Sequence, residues 1–134
     1  MENDKAKRNI HKQYTVLLVE DDKFIASTLE EKLVLAGYEV IKAEDGIRAL
    51  TKAKFKKPDL ILLDIILPEK NGYEVLKDLK EDEKLKNIPV VILSCLGEKV
   101  DIQLGKQLGA IDHFVKSKIE IGDLPAKIKP YFNK

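Results

Sequence analysis

Five residues with carboxylate, hydroxyl or ammonium groups come directly after short apolar runs of this sequence. They are Glu20, Asp21, Asp64, Ser94 and Lys116. Three carboxylates gathered in one place repel one another, and this crowding raises at least one pKa unless a cation neutralises the site. The set holds no histidine or cysteine, so its oxygen ligands favour a hard divalent ion, and few protein ligands suit octahedral Mg²⁺. The residue types therefore predict a magnesium site.

A metal ion, the Lys116 ammonium and the Ser94 hydroxyl could together hold one further dianionic group. A phosphoryl group fits, because its transfer requires little beyond in-line positioning and neutralisation of the charge on its oxygens. A protein carboxylate can accept it as an acyl phosphate. Asp64 suits the acceptor role because it follows a long apolar strand that fixes it centrally, which leaves Glu20 and Asp21 to hold the metal.

These groups can meet only if the strands that precede them end at one edge of a sheet. Short apolar runs predict five strands, at residues 16–19, 39–41, 60–63, 90–93 and 111–115. Apolar residues at helical spacing between and after them predict five helices, within 25–36, 47–53, 75–79, 100–108 and 124–131. This alternation predicts an α/β fold, a doubly wound parallel sheet with ligands bound outside the carboxyl ends of its strands.

Length and composition set limits on the class of protein. A chain of 134 residues with 44% apolar residues fits one domain, and 24 basic against 23 acidic residues leave no charge excess that would favour nucleic acid or a membrane. The single cysteine and the lack of a secretory or membrane-spanning stretch predict a cytoplasmic protein. We expect residues 1–13 to form a mobile arm and residues 14–134 the folded domain.

Three features have simpler interpretations. Asp22 precedes a helical pattern and is typical of a helix cap. Cys95 is expected to be a small buried residue. The lysine-rich segment 52–57 is expected to be a solvated helix end.

Four blocks of the sequence resemble the receiver domains of two-component response regulators: LLVEDD, PDLILLDIILPEKNGYEVL, IPVVILS and GAIDHFVKS. The resemblance extends from Thr15 to about Tyr131. It implies a flavodoxin-like sheet with strand order 2-1-3-4-5, the arrangement of chemotaxis regulators. It also implies a stand-alone signalling protein that is not an enzyme beyond its own phosphotransfer and slow autodephosphorylation.

The resemblance assigns a role to each site residue. It implies phosphotransfer to Asp64 from a histidine kinase or phosphotransfer protein, with an unknown protein target downstream. It implies Mg²⁺ on Glu20, Asp21, Asp64 and the backbone carbonyl of Ile66. Ser94 and Lys116 would bind the phosphoryl group, and His113 occupies the position of an aromatic switch residue. The output surface would be formed by the fourth and fifth helices with the fifth strand.

The chain departs from the family pattern at three positions. Ser117 replaces the proline that usually follows the lysine, and we expect a trans bond there because a non-proline cis bond costs about 2.5–4 kcal/mol. Ile66 and Leu96 are apolar at positions that influence hydrolysis in the family. Without a polar side chain to orient water, we expect a long-lived acyl phosphate.

Three other functions are possible for a chain of this pattern. A degenerate receiver that binds its partners constitutively is the main alternative. An aspartyl-phosphate hydrolase would need a second acid where Ile66 stands, and a nucleotide or flavin carrier would need a glycine-rich loop after Val19.

Overall fold

The computed structural model describes residues 13–132 and contains a five-stranded parallel sheet in the order β2-β1-β3-β4-β5. The strands are β1 (Thr15–Val19), β2 (Glu39–Ala43), β3 (Leu60–Leu63), β4 (Val90–Ser94) and β5 (Asp112–Val115). The predicted fold class and strand order are confirmed. Apart from Gln13, the residues assigned to a mobile arm lie outside the described part of the chain.

Helices connect the strands and cover both faces of the sheet. They are α1 (Lys23–Leu35), α2 (Gly46–Lys56), α3 (Gly72–Glu81), α4 (Lys99–Gln107) and α5 (Leu124–Ile128), with short 3₁₀ turns around α5. The side chains of Asp22, Asp45 and Asn71 cap α1, α2 and α3 by accepting backbone N–H groups at 2.7 to 3.0 Å. Each cap fixes where a helix leaves the carboxyl edge of the sheet.

The core consists of two layers separated by the sheet. Strand side chains alternate between the faces, so Leu17 packs with α2 and α3 on one side while Leu18 packs with α1 and α5 on the other. All four residues of β3 are no more than 1% exposed. Burial on both faces explains why the central strands are continuously apolar in sequence.

The fourth helix forms where its apolar spacing predicts it, but that spacing does not mark a buried face. Val100 is 69% exposed and Leu104 is 41% exposed, while Gly105 is the buried residue of α4. A Cβ atom on Gly105 would lie 2.5 Å from Cδ1 of Ile92, so the helix packs on the sheet through its glycine. The apolar side chains of α4 therefore face solvent.

None of the helices in the described range is long and apolar enough to cross a bilayer. The longest is α1 with 13 residues, whereas a span needs about 20.

A hydrogen bond joins the C-terminal 3₁₀ turn to the sheet. The Tyr131 hydroxyl donates to a carboxylate oxygen of Asp112 in β5. This bond, together with partial burial and the negative charge of Asp112, raises the pKa of Tyr131 from 10.0 to about 12. Because the raised pKa keeps a proton that the unfolded chain releases, the bond stabilises the fold below pH 10 and ceases to do so as the pH rises to about 12.

We expect Tyr131→Phe to lower the free energy of unfolding by about 1 kcal/mol at pH 8, because it removes one partly exposed hydrogen bond to a charged acceptor. The difference between wild type and variant should shrink as the pH passes from 10 to about 12, where the wild-type hydroxyl also loses its proton. Urea unfolding at several pH values measures it. A difference that stays constant over this range would show that the bond does not set the pKa of Tyr131.

Candidate functional site

Glu20, Asp21 and Asp64 come together at the carboxyl edge of the sheet. β1 and β3 are hydrogen-bonded neighbours, with Val19 opposite Leu63, so the residues that follow them emerge side by side. The Asp64 N–H donates to the Val19 carbonyl at 3.1 Å and continues this pairing beyond the strands. One carboxylate oxygen from each acid lies within 4.8 Å of the other two. The convergence predicted from the sequence is present.

The three acids differ in their access to water. Glu20 and Asp64 are each 4% exposed, whereas Asp21 is exposed. The site therefore contains two buried carboxylates, Glu20 and Asp64, and is open to solvent at Asp21.

Lys116, which directly follows the edge strand β5, supplies a positive charge to the two buried carboxylates. Its Nζ atom donates to Oε1 of Glu20 at 2.6 Å and to Oδ2 of Asp64 at 3.0 Å. The described residues contain no cis peptide bond, so the bond from Lys116 to Ser117 is trans, the form that the cost of a non-proline cis bond favours. The ammonium reaches both acids in this trans loop.

Burial and ion pairing together shift the pKa values of Glu20 and Lys116. Burial raises the pKa of Glu20 above its usual range, and the hydrogen bond from Lys116 offsets only part of that rise. Burial by itself would lower the pKa of Lys116, but the hydrogen bonds and charges of Glu20 and Asp64 outweigh it and raise that pKa. Lys116 therefore remains protonated at neutral pH.

Backbone groups orient the Asp64 carboxylate. Its Oδ1 accepts the N–H of Ile65 at 2.7 Å and that of Ile66 at 3.3 Å, while its Oδ2 accepts the Lys116 ammonium. The side chain is thus held by donors on both oxygens. Ile66 itself is 53% exposed to solvent.

Ser94 and His113 each form a hydrogen bond with Leu96, in the loop after β4. Ser94 is fully buried, and its Oγ accepts the Leu96 N–H at 3.4 Å. Nε2 of His113 lies 2.7 Å from the Leu96 carbonyl oxygen, and because a carbonyl only accepts, Nε2 carries the proton. His113 Nδ1 is buried and has no hydrogen-bond partner among the described residues. Ser94 in β4 and His113 in β5 therefore both hold Leu96 in place.

Two simpler interpretations of the sequence have different outcomes. Asp22 is a helix cap as predicted, since its Oδ1 accepts the Ile25 N–H at 3.0 Å. The prediction that Cys95 is buried is wrong, because the residue is exposed. Cys95 follows the last residue of β4, where the chain leaves the sheet and its side chain meets solvent.

Two glycines position the acceptor loop, and sequence reasoning missed both. A Cβ atom on Gly72 would lie 2.3 Å from the carbonyl oxygen of Asp64, and one on Gly46 would lie 1.9 Å from the carbonyl oxygen of Lys70. Both obstacles are backbone atoms, which cannot rotate away as a side chain could. The loop between β3 and α3 therefore rests directly on the first residues of two helices.

The donor set fits a divalent cation. Three carboxylates lie within reach of one ion, with a single ammonium among them and all-oxygen ligands. Hard ions such as Mg²⁺ and Mn²⁺ suit oxygen ligands. The exposed Asp21 leaves one side open for an ion and its water molecules.

Comparison with known proteins agrees with this geometry. A family model described as the response regulator receiver domain matches residues 16–129. The polar-differentiation response regulator DivK of Brucella anthropi is 35% identical over 117 residues, which cover 87% of this chain and 94% of DivK. The transcriptional regulatory protein PhoP of Bacillus subtilis is 42% identical over 101 residues, but they cover 75% of this chain and only 41% of PhoP.

Solved structures show the same fold. The chemotaxis protein CheY4 of Vibrio cholerae has a TM-score of 0.83 and 30% identity, over 90% of this chain and 99% of CheY4. The response regulator Rcp1 in its Mn²⁺-bound form has a TM-score of 0.77 and 30% identity, over 89% of this chain and 94% of Rcp1.

We expect Gly46→Ala and Gly72→Ala each to destabilise the fold by about 1–3 kcal/mol, because the added methyl groups displace backbone beside Asp64. Alanine alone would favour each helix by up to about 1 kcal/mol, so a net loss identifies the clash. Both variants should also bind Mg²⁺ more weakly in a calorimetric titration.

Gly122→Ala is the matched control, because a Cβ atom there meets nothing within 4 Å. It should leave urea unfolding and Mg²⁺ affinity unchanged. Wild-type stability and affinity in the Gly46 and Gly72 variants would show that the loop can move without consequence.

Proposed function

The chain belongs to the receiver-domain family of response regulators, and from that premise we propose that Asp64 accepts a phosphoryl group from a histidine kinase or phosphotransfer protein. The observation that carries the proposal is the setting of Asp64. Its carboxylate accepts the Lys116 ammonium and lies beside two further acids, with both of its oxygens held by donors. A carboxylate held in this way has a fixed direction of attack.

The proposed reaction moves one phosphoryl group between two side chains. An Asp64 oxygen attacks the phosphorus of a phosphohistidine, an acyl phosphate bond forms, and the bond from phosphorus to the imidazole nitrogen breaks. The histidine leaves with a proton from solvent. Lys116 keeps its proton throughout, because two carboxylates raise its pKa, and its positive charge offsets the new negative charge.

Glu20, Asp21, Asp64 and the backbone carbonyl of Ile66 would hold Mg²⁺ in this proposal. The bound ion would neutralise charge on the phosphoryl oxygens. The close carboxylates support this assignment, and so does the Mn²⁺-bound state of Rcp1.

Ser94 and His113 would transmit the change. Both contact Leu96, Ser94 through its hydroxyl and His113 through its ring, so a shift of Ser94 toward a phosphoryl group would disturb the same loop that His113 holds. That loop leads into α4. The exposed apolar side chains of Val100 and Leu104 on α4, with neighbouring β5 and α5, would form the surface that a downstream protein reads.

We propose a signalling role in the cytoplasm and no enzymatic activity beyond self-catalysed phosphotransfer and slow autodephosphorylation. The slow loss of phosphate rests on Ile66 and Leu96, which offer no polar side chain for a water molecule. Ile66 is 53% exposed and Leu96 packs against the core.

Intact-mass measurement after incubation with acetyl phosphate and Mg²⁺ tests the proposal. We expect wild type to gain one phosphoryl group, Asp64→Asn to gain none, and omission of Mg²⁺ with added chelator to abolish the gain. The adduct should persist for many minutes once the phosphodonor is removed.

Asp59→Asn is the matched control, because Asp59 precedes the same strand at its opposite end and should not affect the adduct. An unmodified wild type would favour the alternative, a degenerate receiver that binds partners constitutively. Loss of the adduct within seconds would refute the role assigned to Ile66 and Leu96.

A further inference from the structure

The helix α2 carries positive charge without any compensating acid of its own. Residues Gly46–Lys56 include Arg48, Lys52, Lys54 and Lys56 and contain no aspartate or glutamate, and Lys57 follows directly. Across the whole chain acidic and basic residues nearly balance, so this helix is a local concentration of cations. The helix dipole favours lysines near a helix C-terminus and so explains their position. It does not explain the exposed apolar side chains beside them.

Large apolar side chains accompany these cations on the outer face of α2. The inner face packs through Gly46, Ala49 and Ala53. On the opposite side Phe55 is 81% exposed and Ile47 is 52% exposed. They stand eight residues apart, about 12 Å along the helix axis, so they lie on one stripe.

The lysines around Phe55 have no acidic partners within residues 13–132. Lys54, Lys56 and Lys57 form no ion pair there, whereas Arg48 pairs with Glu44 and Asp45. Lys52 donates to the Lys42 carbonyl. The ammonium groups of Lys54 and Lys56, on either side of Phe55, are therefore uncompensated among the described residues.

Beyond its first turn, which begins at Gly46 beside the acceptor loop, this surface is separate from those that the proposed function uses. α2 contacts β1, β2 and α3, and β2 is the edge strand opposite β5. Its C-terminal end leads to the start of β3, at the other end of the strand from Asp64. Neither phosphorylation nor the surface formed by α4, β5 and α5 requires an exposed phenylalanine here.

We propose that the outer face of α2, formed by Ile47, Thr51, Lys54 and Phe55 with Lys56 at its flank beside Phe55, docks an acidic amphipathic helix of a partner protein. Charge complementarity selects the acidic partner, and the ammonium groups would steer its approach. Two apolar anchors two turns apart match the spacing of apolar residues on one face of a second helix. Aromatic anchors surrounded by charged residues are typical of the side chains that dominate binding energy.

A protein helix suits this surface better than a lipid bilayer. A helix that lies in a membrane interface buries a broad apolar face, but the apolar inner face of α2 is already packed against the sheet. Only Ile47 and Phe55 remain outside, with the polar Thr51 between them. Two anchors suffice for a helix contact and give little insertion into lipid.

The test uses a synthetic acidic peptide with leucines along one helical face and glutamates elsewhere, titrated into the ¹⁵N-labelled full chain. We expect amide shifts confined to α2 and its neighbours. Phe55→Ser should raise the dissociation constant at least about tenfold, and Lys54→Glu with Lys56→Glu at least as much. All three side chains are exposed, so these variants should fold normally.

Phe24→Ser is the matched control, because Phe24 is equally exposed at 80% but lies on α1. It should bind the peptide like wild type, as should Lys129→Glu. A second peptide with serines in place of the leucines should bind at least about tenfold more weakly.

Three results would overturn the proposal. Equal binding of the serine peptide would reduce the surface to a non-specific anion site. Amide shifts centred on α4 or around Asp64 would place the docking elsewhere. Binding to phosphatidylglycerol vesicles that requires Phe55, without binding of the leucine peptide, would identify a membrane surface instead.

Discussion

The gathering of three carboxylates, two of which pair with one ammonium group, is the constraint on which the rest of this molecule depends. Glu20 and Asp64 are each 4% exposed, so most of their water has been replaced by protein. Lys116 donates to both of them at 2.6 and 3.0 Å. Removal of one partner from such a buried cluster leaves uncompensated charge and costs far more than an exposed ion pair contributes. The same excess of negative charge would attract a divalent cation, and in the proposed function the cation and Lys116 together would hold a phosphoryl group.

The fold supplies this arrangement by topology, with the site residues far apart in sequence. Lys116 is 96 residues from Glu20 and 52 from Asp64, yet parallel strands bring their carboxyl ends to one edge. Local devices then fix each side chain. Backbone N–H groups hold Asp64, and Gly46 and Gly72 let the acceptor loop lie against two helices. His113 and Ser94 each form a hydrogen bond with Leu96 in the neighbouring loop, and in the proposed function a change at the site would reach α4 through this loop.

The sequence predicted the strands because their signals are short-range, and it predicted the convergence of the acids because parallel strands end at one edge of the sheet. Strands buried on both faces must be continuously apolar, and β3 appears in the sequence with its observed bounds. The close approaches at Gly46 and Gly72 could not be predicted, since they join segments distant in sequence and depend on fractions of an ångström. The exposure of Val100 and Leu104 was also missed, because apolar spacing does not reveal whether a helix packs through a glycine instead. The exposure of Cys95 was not predicted either, because the apolar pattern of β4 does not show that burial ends at Ser94.

The free energy of unfolding of Lys116→Met, measured in urea with and without Mg²⁺, tests the central interaction most directly. Methionine keeps the length of the side chain but removes its charge and both hydrogen bonds. We predict a loss of about 1–3 kcal/mol in the absence of Mg²⁺, since the Glu20 and Asp64 carboxylates then repel without compensation. Saturating Mg²⁺ should restore most of the lost stability. Equal stability of wild type and variant without the ion, or no response of the variant to Mg²⁺, would contradict the account.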